Sequence, residues 1–179
     1  MATIDREVLR RRIAQEEETF VAMHPKSAQL AEEARRSMLT GVPMAWMTRW
    51  PGRFPVFFAE AAGACVVDVD GNEYVDFALG DTGAMTGHAL PFVQEALSRQ
   101  AARGITTMLP TENSVWVAEE LSRRFGLPLW QFALTTTDAN RFALRIARYV
   151  TGRPRILAFD CCYHGTVDET LVTVDSRGH

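Results

Sequence analysis

Between residues 130 and 159 the chain sets one amphipathic run between two apolar ones, and few architectures accept that order. Trp130 to Leu134 reads as a short strand. Ala139, Phe142, Ala143, Ile146, Ala147 and Val150 then recur at helical spacing, with Arg141, Arg145 and Arg148 on the opposite face. Gly152 and Pro154 stop the helix, and Ile156 to Phe159 reads as a second strand. Strand, helix, strand predicts a βαβ unit, and so an α/β chain with a mainly parallel sheet covered by helices. The turn Thr135-Thr136-Thr137-Asp138 falls at the helix N-terminus. Unpaired backbone N–H groups and the helix dipole favour an anion there, and three hydroxyls add donors, so a phosphate is a sensible occupant. A second reading stays open, with Thr137 as a simple N-cap beside two strand-end threonines. Asp138 opposes an anion unless it points away. The arginine stripe reads as a solvated helix face.

After the second strand comes Asp160-Cys161-Cys162-Tyr163-His164-Gly165. A tyrosine at the C-terminal end of a parallel strand can present its ring to a ligand. If the strand continues, Asp160, Cys162 and His164 alternate onto one side, which is the weaker metal or thiol-hydrolase reading.

Upstream, residues 3 to 37 read as helical and polar, broken at His24-Pro25, and suited to a surface or a partner. Residues 41 to 58 are aromatic-rich and punctuated by Gly and Pro. They are either a loop packed on its own domain or a substrate-lining loop. Residues 64 to 77 predict a hairpin turning at Gly71-Asn72. The glycine-rich stretch 80 to 88 has the wrong spacing for a nucleotide fingerprint. A helix starts near Pro91, with Leu90, Val93, Leu97 and Ala101 as its stripe and Gly104 as its C-cap. Another runs from Glu112 to Phe125, with Thr111 as N-cap, Val115, Ala118, Leu121 and Phe125 as its buried face, and Gly126 at its end.

The 179 residues suffice for one domain with a core, and a formal net charge of −3 gives no general attraction to nucleic acid or membrane. Three cysteines, two of them adjacent, make a poor disulfide framework and point to a reducing, cytoplasmic setting. Met1 to Glu18 lacks the apolar region of a secretory signal, and no stretch is apolar enough for a membrane span. Eighteen of the basic residues are arginine, and Lys26 is the one lysine.

Taken together, these motifs resemble the class-III aminotransferases. Thr135-Thr136-Thr137-Asp138-Ala139-Asn140 is similar to that family's Ser-Gly-Thr-Glu-Ala-Asn turn, and Tyr149-Val150-Thr151-Gly152-Arg153 to the end of its next helix. Cys162-Tyr163-His164-Gly165 matches its Tyr-His-Gly element. Asp68 to Phe77 resembles its hairpin, Gly87-His88 the start of its following helix, and Pro110-Thr111-Glu112 also fits. The resemblance covers about residues 41 to 175 and is nearest the branch containing glutamate-1-semialdehyde 2,1-aminomutase.

It implies a fold-type-I enzyme using pyridoxal 5'-phosphate on a small amino acid or amino aldehyde, as a homodimer with sites at the subunit interface. By the same resemblance Thr135, Thr136 and Thr137 hold the cofactor phosphate. Tyr163 stacks on the ring, His164 in the same element also binds the cofactor, and Trp46 and Arg49 contact substrate. The domain division it implies is an N-terminal helical segment (1–40), a small-domain part with aromatic loop, hairpin and glycine-rich loop (41–88), and the start of the cofactor-binding large domain (89–179). Thr136 stands where the family usually has glycine. The family's pyridine-nitrogen aspartate and cofactor-bearing lysine lie beyond residue 179, and nothing around Lys26 resembles the catalytic segment. The chain is therefore expected to be the N-terminal portion of such an enzyme, with no catalytic residue of its own. The alternative is a non-catalytic assembly piece that pairs with a full-length homologue.

Overall fold

A computed structural model describes residues 4–173, so Thr3 and the terminal Asp175 to His179 lie outside the described residues. The chain divides into two compact units, Met1–Thr106 and Thr107–His179.

The first unit opens with α1, Arg6–Met23, capped by Asp5, whose Oδ1 accepts from the N–H of Glu7 (2.9 Å) and of Val8 (3.2 Å). Pro25 has no N–H to continue the ladder, so the helix stops and α2, Pro25–Ala34, starts with that proline in its first turn. The expected break at His24-Pro25 is where the chain turns. α1 buries no residue, as its polar sequence predicts. α2 departs from the expectation by burying Ser27, Ala31 and Ala34, because small side chains let a sparsely apolar helix approach its neighbours closely. Two 3₁₀ turns follow, Leu39–Gly41 and Ala45–Arg49.

The sheet has three antiparallel strands in the order β1 (Phe58–Ala62), β2 (Cys65–Asp68), β3 (Glu73–Val75). The predicted hairpin is β2–β3, with Val66 opposite Tyr74. β1 pairs with β2, Ala61 opposite Val66, and was not foreseen: Phe-Ala-Glu-Ala-Ala carries weak β-propensity, and the open edge of β2 recruits it.

The hairpin turn fastens this sheet to the helices. Asp68 is buried, and Oδ1 accepts from the N–H of Asp70 (2.9 Å) and Asn72 (2.8 Å). Oδ2 accepts from Asn72 Nδ2 (2.9 Å) and the Tyr74 hydroxyl (2.8 Å). Burial pushes the Asp68 carboxyl up, but these donors outweigh it and hold the group at about 2. Burial, together with the hydrogen bond to Asp68, drives the Tyr74 phenol up to about 12. His24 completes the group, with Nδ1 on the Phe20 carbonyl (2.6 Å) and Nε2 on the Tyr74 hydroxyl (2.7 Å), 3.4 Å from Asp68 Oδ2. The neighbouring Asp70 accepts from the N–H of Lys26 (2.6 Å) and Ser27 (3.0 Å), so the turn caps α2 from more than forty residues away. Asn72 Nδ2 also donates to the Met23 carbonyl at the end of α1 (3.0 Å). α3, Pro91–Ala101, closes this unit's helical content.

The second unit contains α4, Glu112–Phe125, and α5, Thr136–Thr151. Both match their predicted limits within a residue or two. The flanking strands do not form. Residues 130–134 and 156–159 are irregular, with Leu134 fully exposed and Leu157 82% exposed. A strand exists only through a paired neighbour, and among the described residues neither segment has one. For the same reason the apolar stripes of α3, α4 and α5 are present but uncovered, with Leu97, Val115, Ile146 and Val150 exposed. Among the described residues the buried apolar side chains are Ala31, Ala34, Val42, Val66 and Val167, not the single larger core that chain length allows.

Candidate functional site

The α5 N-terminus is built by its own sequence. Thr135 is extended (φ −134°, ψ 155°), and its Oγ1 accepts from the Asp138 N–H at 3.1 Å. The same hydroxyl donates to Asp138 Oδ2 at 2.9 Å, closing a reciprocal cap. Thr135, not Thr137, is therefore the N-cap, since Thr137 already lies inside the helix. Asp138 is turned towards Thr135 and lies 3.5 Å from Arg141, so its charge is engaged at the helix side. The N–H groups of Thr136 and Thr137 have no acceptor within the helix, and the Thr136 hydroxyl makes no hydrogen bond among the described residues. Thr135→Ala is expected to lower the stability of this unit by about 1 kcal/mol, measured by urea denaturation.

The segment after residue 162 folds onto this end of the helix. Thr137 Oγ1 accepts from the Thr166 N–H (3.2 Å), and Asn140 Nδ2 donates to the His164 carbonyl (2.8 Å). Between them Gly165 is buried at φ +88°, where a Cβ would stand 2.7 Å from Thr137 Oγ1 and 3.1 Å from Thr137 Cα. Val167 and Thr170 are buried below it. His164 Nδ1 is buried and has no hydrogen-bond partner. Tyr163 is 75% exposed. These contacts bring the 164–170 segment onto the helix end that carries Thr135, Thr136 and Thr137.

The predicted substrate contacts, Trp46 and Arg49, are exposed on the 3₁₀ turn of the other unit, where Trp46 meets Trp50 edge-on at 6.2 Å. The continuing strand that would align Asp160, Cys162 and His164 is not formed among the described residues. The chain turns at Asp160-Cys161 instead of continuing as a strand, Cys161 is left-handed (φ 58°), and no group of three metal-binding side chains forms among the described residues. The arginine stripe is only partly solvated. Arg148 donates to the Pro154 carbonyl (2.9 Å) and to Glu169 (2.7 Å), tying the helix end to the following loop.

Sequence reasoning did not single out the pair Asp76 and His88, whose Oδ2 and Nε2 are 2.7 Å apart beside an open pocket of ≈ 340 Å³ lined by the glycine-rich loop. The hydrogen bond from His88 and the Leu79 N–H hold the Asp76 carboxyl below its ordinary value. The signal available was an acidic residue ending the hairpin twelve positions before a histidine, which carries little information without the fold.

The α5 N-terminus is thus capped by Thr135, its first amides lack acceptors within the helix, and Gly165 packs closely against Thr137. The sequence profile of one family, Aminotransferase class-III, matches residues 46–179, and the chain belongs to it. Its fold is accordingly the N-terminal portion of the fold-type-I aminotransferase fold. In particular, the chain is similar to glutamate-1-semialdehyde 2,1-aminomutase from Desulfitobacterium hafniense, 40% identical over 70% of this chain and 29% of that protein. The crystal structure of a glutamate-1-semialdehyde-aminomutase from Pseudomonas aeruginosa PAO1 superimposes with a TM-score of 0.90 at 52% identity, over 98% of this chain and 39% of that one. An omega-transaminase from Sphaerobacter thermophilus gives 0.72 at 39% identity, over 79% and 32%. The chain thus spans between a quarter and two fifths of the relatives it matches.

Proposed function

We propose that this chain contributes the phosphate cradle and ring platform of a pyridoxal 5'-phosphate-dependent enzyme of amino-group transfer, an aminotransferase or aminomutase acting on a small amino acid or amino aldehyde. The observation that carries the reading is the seating of Gly165 against Thr137 beneath the free first turn of α5. It leaves two amides and the Thr136 hydroxyl at that helix end, and the segment packed on the helix carries the partnerless His164 Nδ1. That donor set fits a phosphate at a helix N-terminus, and Asp138 is held aside by Thr135. The exposed Tyr163 offers a ring face to an aromatic cofactor.

When bound, pyridoxal phosphate supplies an electron-accepting ring and an aldehyde that exchanges amines. The chain's own part is positional: Thr136 and Thr137 bind the anion, Tyr163 orients the ring, and His164 fills its unmet hydrogen bond. Trp46 and Arg49 are proposed substrate contacts. No proton-transfer step is assigned to these residues. Lys26, the single lysine, lies in the first turn of α2, where its backbone N–H serves Asp70. The division into 1–40, 41–88 and 89–179, the homodimer, and a cytoplasmic setting consistent with three unpaired cysteines belong to the same reading.

Pyridoxamine phosphate lacks the aldehyde, so its binding reports docking alone. Titration of this chain, followed by fluorescence, is expected to show saturable binding that weakens at least about tenfold in Tyr163→Ala. Borohydride treatment after pyridoxal phosphate is expected to fix no stoichiometric adduct on Lys26. Absence of saturable binding by the unaltered chain rejects the cradle, and a mapped Lys26 adduct gives the chain a catalytic lysine.

The uncovered stripes of α3, α4 and α5 favour a second reading, a non-catalytic piece that assembles with a full-length homologue. Co-elution from size exclusion with such a relative supports it, and separate elution removes it.

A further inference from the structure

Cys161 and Cys162 are adjacent, both exposed and both free. On a strand, neighbouring side chains point to opposite faces. Here the chain turns at residues 160 and 161, and Cys161 is left-handed, so the two thiols escape that alternation. A non-glycine residue held at positive φ is uncommon, and this one sits in the turn that leads into Tyr163. We propose that Cys161 and Cys162 form a two-thiol chelating site for thiophilic species of the trivalent-arsenic class.

Covalent geometry favours chelation over a disulfide. Adjacent Cα atoms across a trans peptide stand about 3.8 Å apart, short of the roughly 4.4–6.8 Å that disulfides span. A bridging arsenic atom separates the two sulfurs and removes that constraint. Soft sulfur ligands select soft acceptors. No third His, Cys, Asp or Glu completes a conventional metal site among the described residues, which suits an acceptor that brings its own third substituent. The reaction needs no oxidant. With phenylarsine oxide, two S–H bonds and the arsenic–oxygen bond are exchanged for two As–S bonds, and the oxygen leaves with both protons as water. The site stands independently of the cofactor reading, because it is assayed by thiol count and mass.

The test titrates the reduced chain with phenylarsine oxide, followed by free-thiol count and intact mass. One equivalent is expected to consume two of the three thiols, leaving Cys65 free. Because the second bond forms intramolecularly, the adduct is expected to withstand excess monothiol and yield to a dithiol. In Cys161→Ser or Cys162→Ser, retention against monothiol falls by about a hundredfold or more, the scale of an effective-concentration advantage. Cys65→Ser leaves stoichiometry and retention unchanged. Reversal of the unaltered chain's adduct by monothiol, loss of the Cys65 thiol in its place, or full retention in either single serine variant overturns the proposal.

Discussion

Asp68→Ala is expected to cost the first unit about 3–5 kcal/mol, the scale of removing one partner from a buried charged group. The loss is large because four donors converge on that carboxylate, and alanine leaves the Tyr74 hydroxyl and two backbone N–H groups without their acceptor and the Asn72 amide with only the Met23 carbonyl. His24 loses its carboxylate neighbour at the same time. Urea denaturation followed through Trp46 and Trp50, with the second unit's tryptophans replaced by phenylalanine, measures the change. A midpoint equal to the parent's would show that the network is dispensable. The same group gives the unit an acid limit. Its folded value of about 2 lies below the ordinary 3.8, so its stabilisation is complete above the unfolded value and is lost as pH falls towards 2. That contribution is about 2 kcal/mol, and the Asp68→Ala chain is expected to lack the corresponding acid transition.

The second large effect is at Gly165. A methyl group there meets Thr137 Oγ1 at 2.7 Å and the helix backbone at 3.1 Å, and φ is +88°. Gly165→Ala is therefore expected to lift the 163–170 segment from α5, at a cost of at least about 1–3 kcal/mol from the backbone conformation alone. Pyridoxamine phosphate affinity is expected to fall by more than about tenfold, because the cradle and Tyr163 no longer hold one geometry. Gly152→Ala supplies the control. Its φ is +65° but nothing lies within 4 Å of the added carbon, so it carries the strain without the collision. Equal losses in the two variants would assign the Gly165 effect to strain rather than to contact with Thr137.

The helices were legible because their ends are written locally. Thr111, Glu112 and Gly126 bracket α4, and the Thr135–Asp138 cap with Gly152 brackets α5. The hairpin was legible from alternation and its Asp-Gly-Asn turn. β1 was not, because its alanines carry no strand signal and its partner chose it. Residues 130–134 and 156–159 show the converse, strand-like sequence without a ladder. In the site, the resemblance supplied the residue set, while the cap assignment, the Gly165 contact and the unpaired His164 nitrogen are products of tertiary approach. Asp70 illustrates why such features escape a linear reading: its capping partners are 43 and 44 positions away.

That remote cap has a consequence for how the chain avoids misthreading. Side chains in a strand alternate faces, so a one-residue slip of β2 against β3 would carry Asp68 outward and take Asp70 away from the amides of Lys26 and Ser27. The joint between α1 and α2 closes only when the ladder is counted correctly. It serves as a proofreading contact, in which a segment synthesised first stays unlatched until a later one has found its proper alignment.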